Sequence, residues 1–186
     1  MSRFDICGTP LEGLVVLHRK PLGDHRGFLE RLFCADELNS LLLDKKIMQI
    51  NLTLTAKQGT VRGMHFQHPP HAENKFVSCL RGEVFDVAVD LRQGSSTFLH
   101  WHAEVLSANN HRTLVIPEGF AHGFQALTDD CEMLYFHTVV YQPTAEDGLH
   151  SQDPMFDIRW PLSIAELSPR DAAHSLLTDD FRGVIV

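Results

Sequence analysis

The chain is patterned in short runs that alternate apolar and polar positions, separated by turn residues at intervals of about 8–12 residues. The runs cover residues 14–18, 48–54, 76–80, 84–91, 97–101, 113–116 and 131–140. Alternation is clearest in Val84-Phe85-Asp86-Val87-Ala88-Val89-Asp90, with Phe85, Val87 and Val89 on one face and Asp86, Ala88 and Asp90 on the other. Carboxylates sharing a strand face are a solvated exterior on an ordinary sandwich and a functional lining inside a barrel mouth. In Gln49-Ile50-Asn51 the two amides likewise share one face.

A helical period occurs over residues 35–45, where Leu38, Leu41 and Leu42 fall at i, i+3, i+4 spacing and lysines stand near the end. A second, short helix is predicted after Ser168, because Ser168-Pro169-Arg170-Asp171 offers an N-cap, a first-turn proline and an acidic residue. Many short strands with little helix predict an all-β fold, a double-sheet jelly roll or barrel. The alternation of strands and helices that an α/β fold requires is absent. No repeat or Gly/Ser linker divides the chain, so residues 1–186 read as one domain.

Composition narrows the function classes. With 44% hydrophobic and 22% charged residues the chain is ordinary globular material. Sixteen Lys plus Arg against 24 Asp plus Glu leave a net charge of −8, which repels polyanions, so no nucleic-acid partner is expected. A small anionic ligand needs a local cluster of cations instead. Cys7, Cys34, Cys79 and Cys131 form no C-x-x-C pair, which argues against a cysteine zinc site and suits a reducing compartment. No run nears the roughly 18 apolar residues of a spanning helix, and the first residues lack an apolar signal core. A cytoplasmic protein without a membrane partner is expected.

The chemistry concentrates in the segment 59–75, containing Arg62-Gly-Met-His65-Phe-Gln67, then in Lys75-Phe-Val77, Gly82 to Arg92, Ile116-Pro-Glu-Gly-Phe-Ala-His122-Gly-Phe124, Tyr135 to Tyr141 and Asp153-Pro154 to Trp160-Pro161. With Asp24-His-Arg26-Gly27 upstream and Ser168-Pro-Arg-Asp171 downstream, this ordered set resembles the dTDP-4-dehydrorhamnose 3,5-epimerase family of cupin-type sugar-nucleotide epimerases. The likeness spans nearly the whole chain.

The resemblance implies a cupin-type double-stranded β-helix that epimerises C3, C5 or both of a nucleotide-linked 4-keto-6-deoxy sugar. It implies no cofactor, no metal, and a homodimer. His65 would be the general base, Asp171 its partner, Tyr135 the opposing general acid and Lys75 the group stabilising an enolate oxygen. The chemistry is coherent: a 4-keto group acidifies the neighbouring C–H bonds, and an imidazole, with an ordinary pKa of about 6.5, is a fitting base. Developing enolate charge calls for a cation at the oxygen. Arg26, Gln49, Asn51, Arg62, His122, Glu146 and Arg170 fall where the family contacts the nucleotide sugar, and Tyr141 where it stacks on the base. Asp86 occupies the family's buried acidic position near His122. The homodimer also suits the apolar segment before Asp24, for which sheet extension across a two-fold axis offers burial.

Plainer readings stand beside these. His65 is one of 12 histidines; Tyr135 and Tyr141 sit on an apolar run that suits core packing; Asp171 fits a helix first turn; Arg170 fits the surface. His68 and His71 read as loop residues. Two positions depart from the family pattern. Arg31 stands where the family commonly has Glu, either reaching the ligand or lying exposed at the mouth, and Arg170 stands where Lys is common. Three rival functions remain: a metal-dependent cupin, disfavoured because His65 and His68 are three apart rather than two; a sugar 3,4-ketoisomerase on the same fold; and a silent sugar-nucleotide binding module.

Overall fold

The computed structural model describes residues 2–186. The chain runs through β1 (Phe4–Gly8), β2 (Val15–Arg19), β3 (Leu22–Asp24), β4 (Gly27–Leu29) and the single-turn α1 (Asn39–Leu42). It continues through β5 (Gln49–Thr55), β6 (Val61–Gln67), β7 (Lys75–Arg81), β8 (Glu83–Asp90) and β9 (Trp101–Ser107). The remaining elements are β10 (Arg112–Ile116), β11 (Phe120–Ala126), β12 (Cys131–His137), β13 (Glu146–Gly148) and α2 (Pro169–Ala172). Two antiparallel sheets face each other, one ordered β1-β2-β10-β7-β12-β5 and the other β13-β6-β11-β8-β9, with β3 and β4 forming a separate hairpin. Non-sequential neighbours in both sheets make this the cupin-type jelly roll that the strand pattern and the resemblance predict.

The core has three parts. Between the sheets lie Val77, Cys79, Val84, Ala88, Leu114, Phe124 and Met133, with Tyr135 packed at their margin. The outer face of the five-stranded sheet, with Met64, Phe66, Val87 and Val89, is covered by the C-terminal segment through Leu149, Phe156 and Ile158. Leu42 of α1 and Leu38 just before it cover Phe76 and Phe136 on the other outer face. The alternation in β8 is thus used on both sides: Val87 and Val89 pack outward, while Asp86 and Ala88 point between the sheets. The Asp153 motif ties the C-terminal cover down: Asp153 accepts from the Met155 and Leu177 amides, and Trp160 Nε1 donates to the Ser151 carbonyl at 2.8 Å. That cover delivers α2 to the site.

Several elements differ from the sequence reading. The helix expected over 35–45 is reduced to Asn39–Leu42, since Leu38 gives no side-chain cap and Leu43 and Asp44 turn left-handed at φ 50° and 64°. The run 97–101 is mostly a turn, because the buried Asp90 carboxylate accepts from the Ser95 and Thr97 hydroxyls and from Arg92. Burial raises the Asp90 carboxyl, and these bonds more than offset it, holding it down to about 2. The strands β6 and β11 escape the apolar pattern because cavity-facing polar residues interrupt them. The N-terminal segment has an intrachain partner after all: β1 pairs with β2 over Phe4–Gly8, and β2 with β10.

Candidate active site

A cavity of about 950 Å³ lies between the sheets, lined from β5, β6, β7, β11, β12 and the segment around α2. On the five-stranded sheet, His65 of β6 stands opposite His122 of β11. The register slips between His122 and Phe124, so that Arg62 opposes Phe124. This bulge lets Arg62 and His65, three apart, both line the cavity, which regular alternation forbids. Gly63 permits it: its φ is +116°, and a Cβ there would stand 2.5 Å from Gly123 Cα.

His65 Nε2 lies 2.7 Å from Asp171 Oδ1. The other Asp171 oxygen accepts from the Gly63 amide of the bulge at 3.2 Å. The helix start that carries Asp171 is the one read from Ser168-Pro-Arg-Asp, with Ser168 Oγ accepting from the Asp171 amide at 3.0 Å. Burial raises the Asp171 carboxyl, but the His65 bond and charge, with the Gly63 and Ser168 bonds, prevail and hold it at about 2. An ionised Asp171 therefore fixes the His65 tautomer with the proton on Nε2, leaving Nδ1 as the lone-pair nitrogen. The Arg170 guanidinium also approaches His65 Nε2, at 2.9 Å, while its other amino group binds Glu146 at 2.8 Å. With the Nε2 proton directed at Asp171, that nitrogen offers Arg170 no lone pair, and the guanidinium is held by Glu146 and by Asp171 Oδ1 at 3.5 Å.

Facing this group, the six-stranded sheet supplies one inward row. Tyr135 of β12 lies opposite Asn51 of β5, and His137 opposite Gln49 and Lys75. Tyr135 stacks on His137 at 6.0 Å between centroids and meets the His122 ring edge-on at 6.1 Å. Burial, with the nearby Asp86 charge, pushes the Tyr135 phenol well above its usual value, so it stays protonated at neutral pH. Lys75 is buried, with Nζ 3.3 Å from the His65 carbonyl and 3.3 Å from Glu73. Glu73 also accepts from His137 Nδ1 at 2.8 Å; burial raises its carboxyl, and the His137 bond and Lys75 charge bring it below the ordinary range.

The other anticipated residues divide by place. Tyr141, Glu146 and Arg170 line the rim, where the Tyr141 hydroxyl donates to Glu146 at 2.6 Å. Tyr141 lies beyond the end of β12 and is half exposed, so it is no core residue. Gln49 sits behind Asn51, donating to it at 3.1 Å and accepting from the Tyr141 amide at 3.0 Å. Asp86 does not line the cavity; it is fully buried behind His122, 2.8 Å from Nε2, and burial raises its carboxyl against the pull of that ring. Arg26 and Arg31 do not reach the cavity of this chain. Arg26 pairs with Asp24 at the hairpin tip, and Arg31 pairs with Glu37. Within this chain each arginine has its own local carboxylate.

Sequence reasoning missed Glu73 and His137. His137 was findable from spacing, since it lies two residues after Tyr135 on β12 and so shares its strand face, whereas Glu73 lies in the loop before β7 and gives no such signal. His68, exposed and paired with Asp147, is a loop residue as read. No helix among the described residues is long and apolar enough to cross a membrane.

Comparison with known proteins agrees with this geometry. The family model for dTDP-4-dehydrorhamnose 3,5-epimerase matches residues 8–179. The dTDP-4-dehydrorhamnose 3,5-epimerase of Salmonella typhimurium is 41% identical over 173 residues, covering 92% of this chain and 94% of the relative. A dTDP-4-dehydrorhamnose 3-epimerase of Streptomyces niveus is 40% identical over 134 residues, 72% of this chain and 64% of the relative. The crystal structure of a dTDP-6-deoxy-D-glucose-3,5-epimerase from Legionella pneumophila Philadelphia 1, in complex with dTDP-4-keto-L-rhamnose, superposes with a TM-score of 0.88 at 40% identity, covering 93% of this chain and 92% of that one. The chain belongs to the dTDP-4-dehydrorhamnose 3,5-epimerase family.

Proposed function

We propose that residues 1–186 act as one catalytic domain that epimerises C3 and C5 of a dTDP-linked 4-keto-6-deoxyhexose, converting a dTDP-4-dehydro-6-deoxyglucose type of substrate to the dehydrorhamnose configuration. One observation carries this reading: His65 and Tyr135 come from opposing sheets and open into one cavity. Inversion at carbon needs a base on one side of the sugar ring and a proton donor on the other.

In this mechanism His65 Nδ1 takes the proton from the carbon beside the ketone. The ionised Asp171 holds the ring and favours the imidazolium as it forms. Lys75 meets the charge that builds on the ketone oxygen. The Tyr135 phenol then delivers a proton from the other sheet and recovers it from solvent. A buried phenol held in its protonated form suits that task. The mechanism runs on protons alone and calls for no cofactor. Repetition at the second carbon follows if the ring turns between steps, and the 3-epimerase among the relatives marks inversion at C3 alone as the alternative outcome.

Arg62 and Lys57 line the cavity and, among the described residues, carry no ion pair, so they are the cations open to a diphosphate. They supply the local positive field that the overall charge of −8 lacks. Tyr141 offers a ring face to the base, while Asn51, His122 and Glu146 offer hydrogen-bond partners to the sugar. The enzyme works as a homodimer in the cytoplasm. Dimerisation is supported by edge strand β5, whose row of Ile50, Leu52 and Leu54, with Met48 just before it, is more than half exposed at every position. A cytoplasmic setting is supported by four unpaired cysteines.

The test is NMR of dTDP-4-keto-6-deoxyglucose incubated with the protein in D2O. Deuterium at C3 and C5 supports the reading; label at C3 alone restricts it to a 3-epimerase. Absence of exchange at both carbons, with the nucleotide sugar nonetheless bound, returns the protein to a binding module.

A further inference from the structure

We propose that His65, Asp171 and His174 form a binding site for a borderline first-row divalent cation, Zn2+ above all, and that its occupation shuts off the catalytic base. One ligand atom from each of the three lies within 4.8 Å of the others. His174 follows directly on α2, with its ring centroid 6.3 Å from that of His65. Its Nε2 is buried and has no hydrogen-bond partner in the protein, a costly state for an imidazole that coordination would relieve. The ring fits there because residue 148 is glycine: a Cβ at Gly148 would stand 2.3 Å from His174 Nε2. Gly148 is the residue that pairs with His65 across β13 and β6, so the sheet itself brings the second imidazole to the first.

The donor set decides the metal. Two imidazoles and one carboxylate, with open positions left for water, are the ligands of many zinc sites, whereas Mg2+ and Ca2+ favour oxygen throughout. Bonds of about 2.1 Å in a tetrahedral arrangement place ligand atoms about 3.4 Å apart. The His65–Asp171 separation of 2.7 Å must therefore open slightly, and the His174 ring must swing inward from the irregular chain after α2. Arg170, 2.9 Å from His65 Nε2, opposes the ion and has to withdraw toward Glu146, which already holds it. That repulsion weakens binding relative to an unopposed site.

Occupation changes the tautomer. When Nε2 binds the ion, its proton moves to Nδ1, with no net proton released and no change in oxidation state. The nitrogen facing the sugar then presents N–H in place of its lone pair and cannot act as a base. The blocking step rests on the role given to His65 above; the binding step does not.

Co2+ is the probe, because its visible absorption reports low-coordinate binding directly. We expect wild-type protein to take up one Co2+ with a single midpoint, and turnover to fall with the same midpoint under Co2+ or Zn2+ and return with EDTA. Mg2+ should have no effect. His174→Ala and His174→Gln, checked for native circular dichroism, should keep metal-free turnover and shift the midpoint at least tenfold upward. Absence of Co2+ absorption in wild type, or equal midpoints in wild type and both variants, overturns the site. Co2+ bound without loss of turnover overturns the blocking step, and with it the assignment of His65 rather than the site itself.

Discussion

His65 Nε2 and Asp171 Oδ1 meet at 2.7 Å across 106 residues of sequence, and the contact depends on two local features. One is the bulge at Gly63, which turns His65 into the cavity and sends its own amide to Asp171. The other is the Ser168 cap, which starts the single helical turn bearing Asp171. The proposed catalytic pair thus joins a strand irregularity and a helix cap, each held by a hydrogen bond from a backbone amide to a side-chain oxygen.

Removal of either partner of the proton-transfer chemistry should be severe. His65→Ala and Lys75→Ala are each expected to lower kcat by roughly 10²–10⁴-fold, as for loss of a general acid–base or charge-stabilising group. Steady-state rates with dTDP-4-keto-6-deoxyglucose check this; near wild-type turnover in His65→Ala removes it as the base.

Asp171 makes a pH prediction. Its folded-state pKa of about 2 lies below the unfolded value near 4, so its ionised form is favoured by folding. The associated stability is complete above about pH 4 and disappears as pH falls through about 2, with a magnitude on the order of 2 kcal/mol. Urea unfolding from pH 6 to pH 2 should show the advantage of wild type over Asp171→Asn shrinking in that window. A pH-independent difference contradicts an Asp171 carboxylate held ionised by the fold.

The exposed row on β5 predicts an interface. Leu52→Lys, whose side chain points away from the cavity, should convert dimer to monomer in sedimentation at micromolar concentration. A wild-type monomer under those conditions contradicts the homodimer.

Within this chain Arg31 has a local partner. The departure from the family's Glu invited a specificity role, but the side chain is spent on Glu37, which also accepts from the Arg3 amide and the Ser2 hydroxyl. That cluster, with the Arg3 bond foremost, holds Glu37 at about 2. Arg31→Glu should therefore lower the melting temperature by setting two carboxylates against each other. Relative rates on dTDP-, GDP- and CDP-linked 4-keto sugars should be unchanged; a shift in preference would restore the ligand-reading role.

The legible parts of the sequence were those where side chains obey the local period. The strand at 84–90 showed both faces because Val87 and Asp86 pack on opposite sides, and the Ser168 cap announced α2. The strands that carry the chemistry were harder to read, since Arg62, His65, Gln67 and His122 interrupt apolar runs in order to line a cavity. The helix over 35–45 was overread because three leucines at helical spacing need only one turn to cover Phe76 and Phe136. Arg26 and Arg31 meet local carboxylates in this chain, a pairing that spacing along a strand does not announce.

The most direct test of opposed base and acid is Tyr135→Phe in D2O, with the stereochemistry of the labelled sugar read by NMR. The buried phenol on β12 and His65 on β6 stand on different sheets, so the variant should still exchange hydrogen at the carbon His65 reaches. Deuterium should enter there with retention, and inversion should fall by about 10²-fold or more. Inversion at the wild-type rate in Tyr135→Phe would contradict the two-sided mechanism.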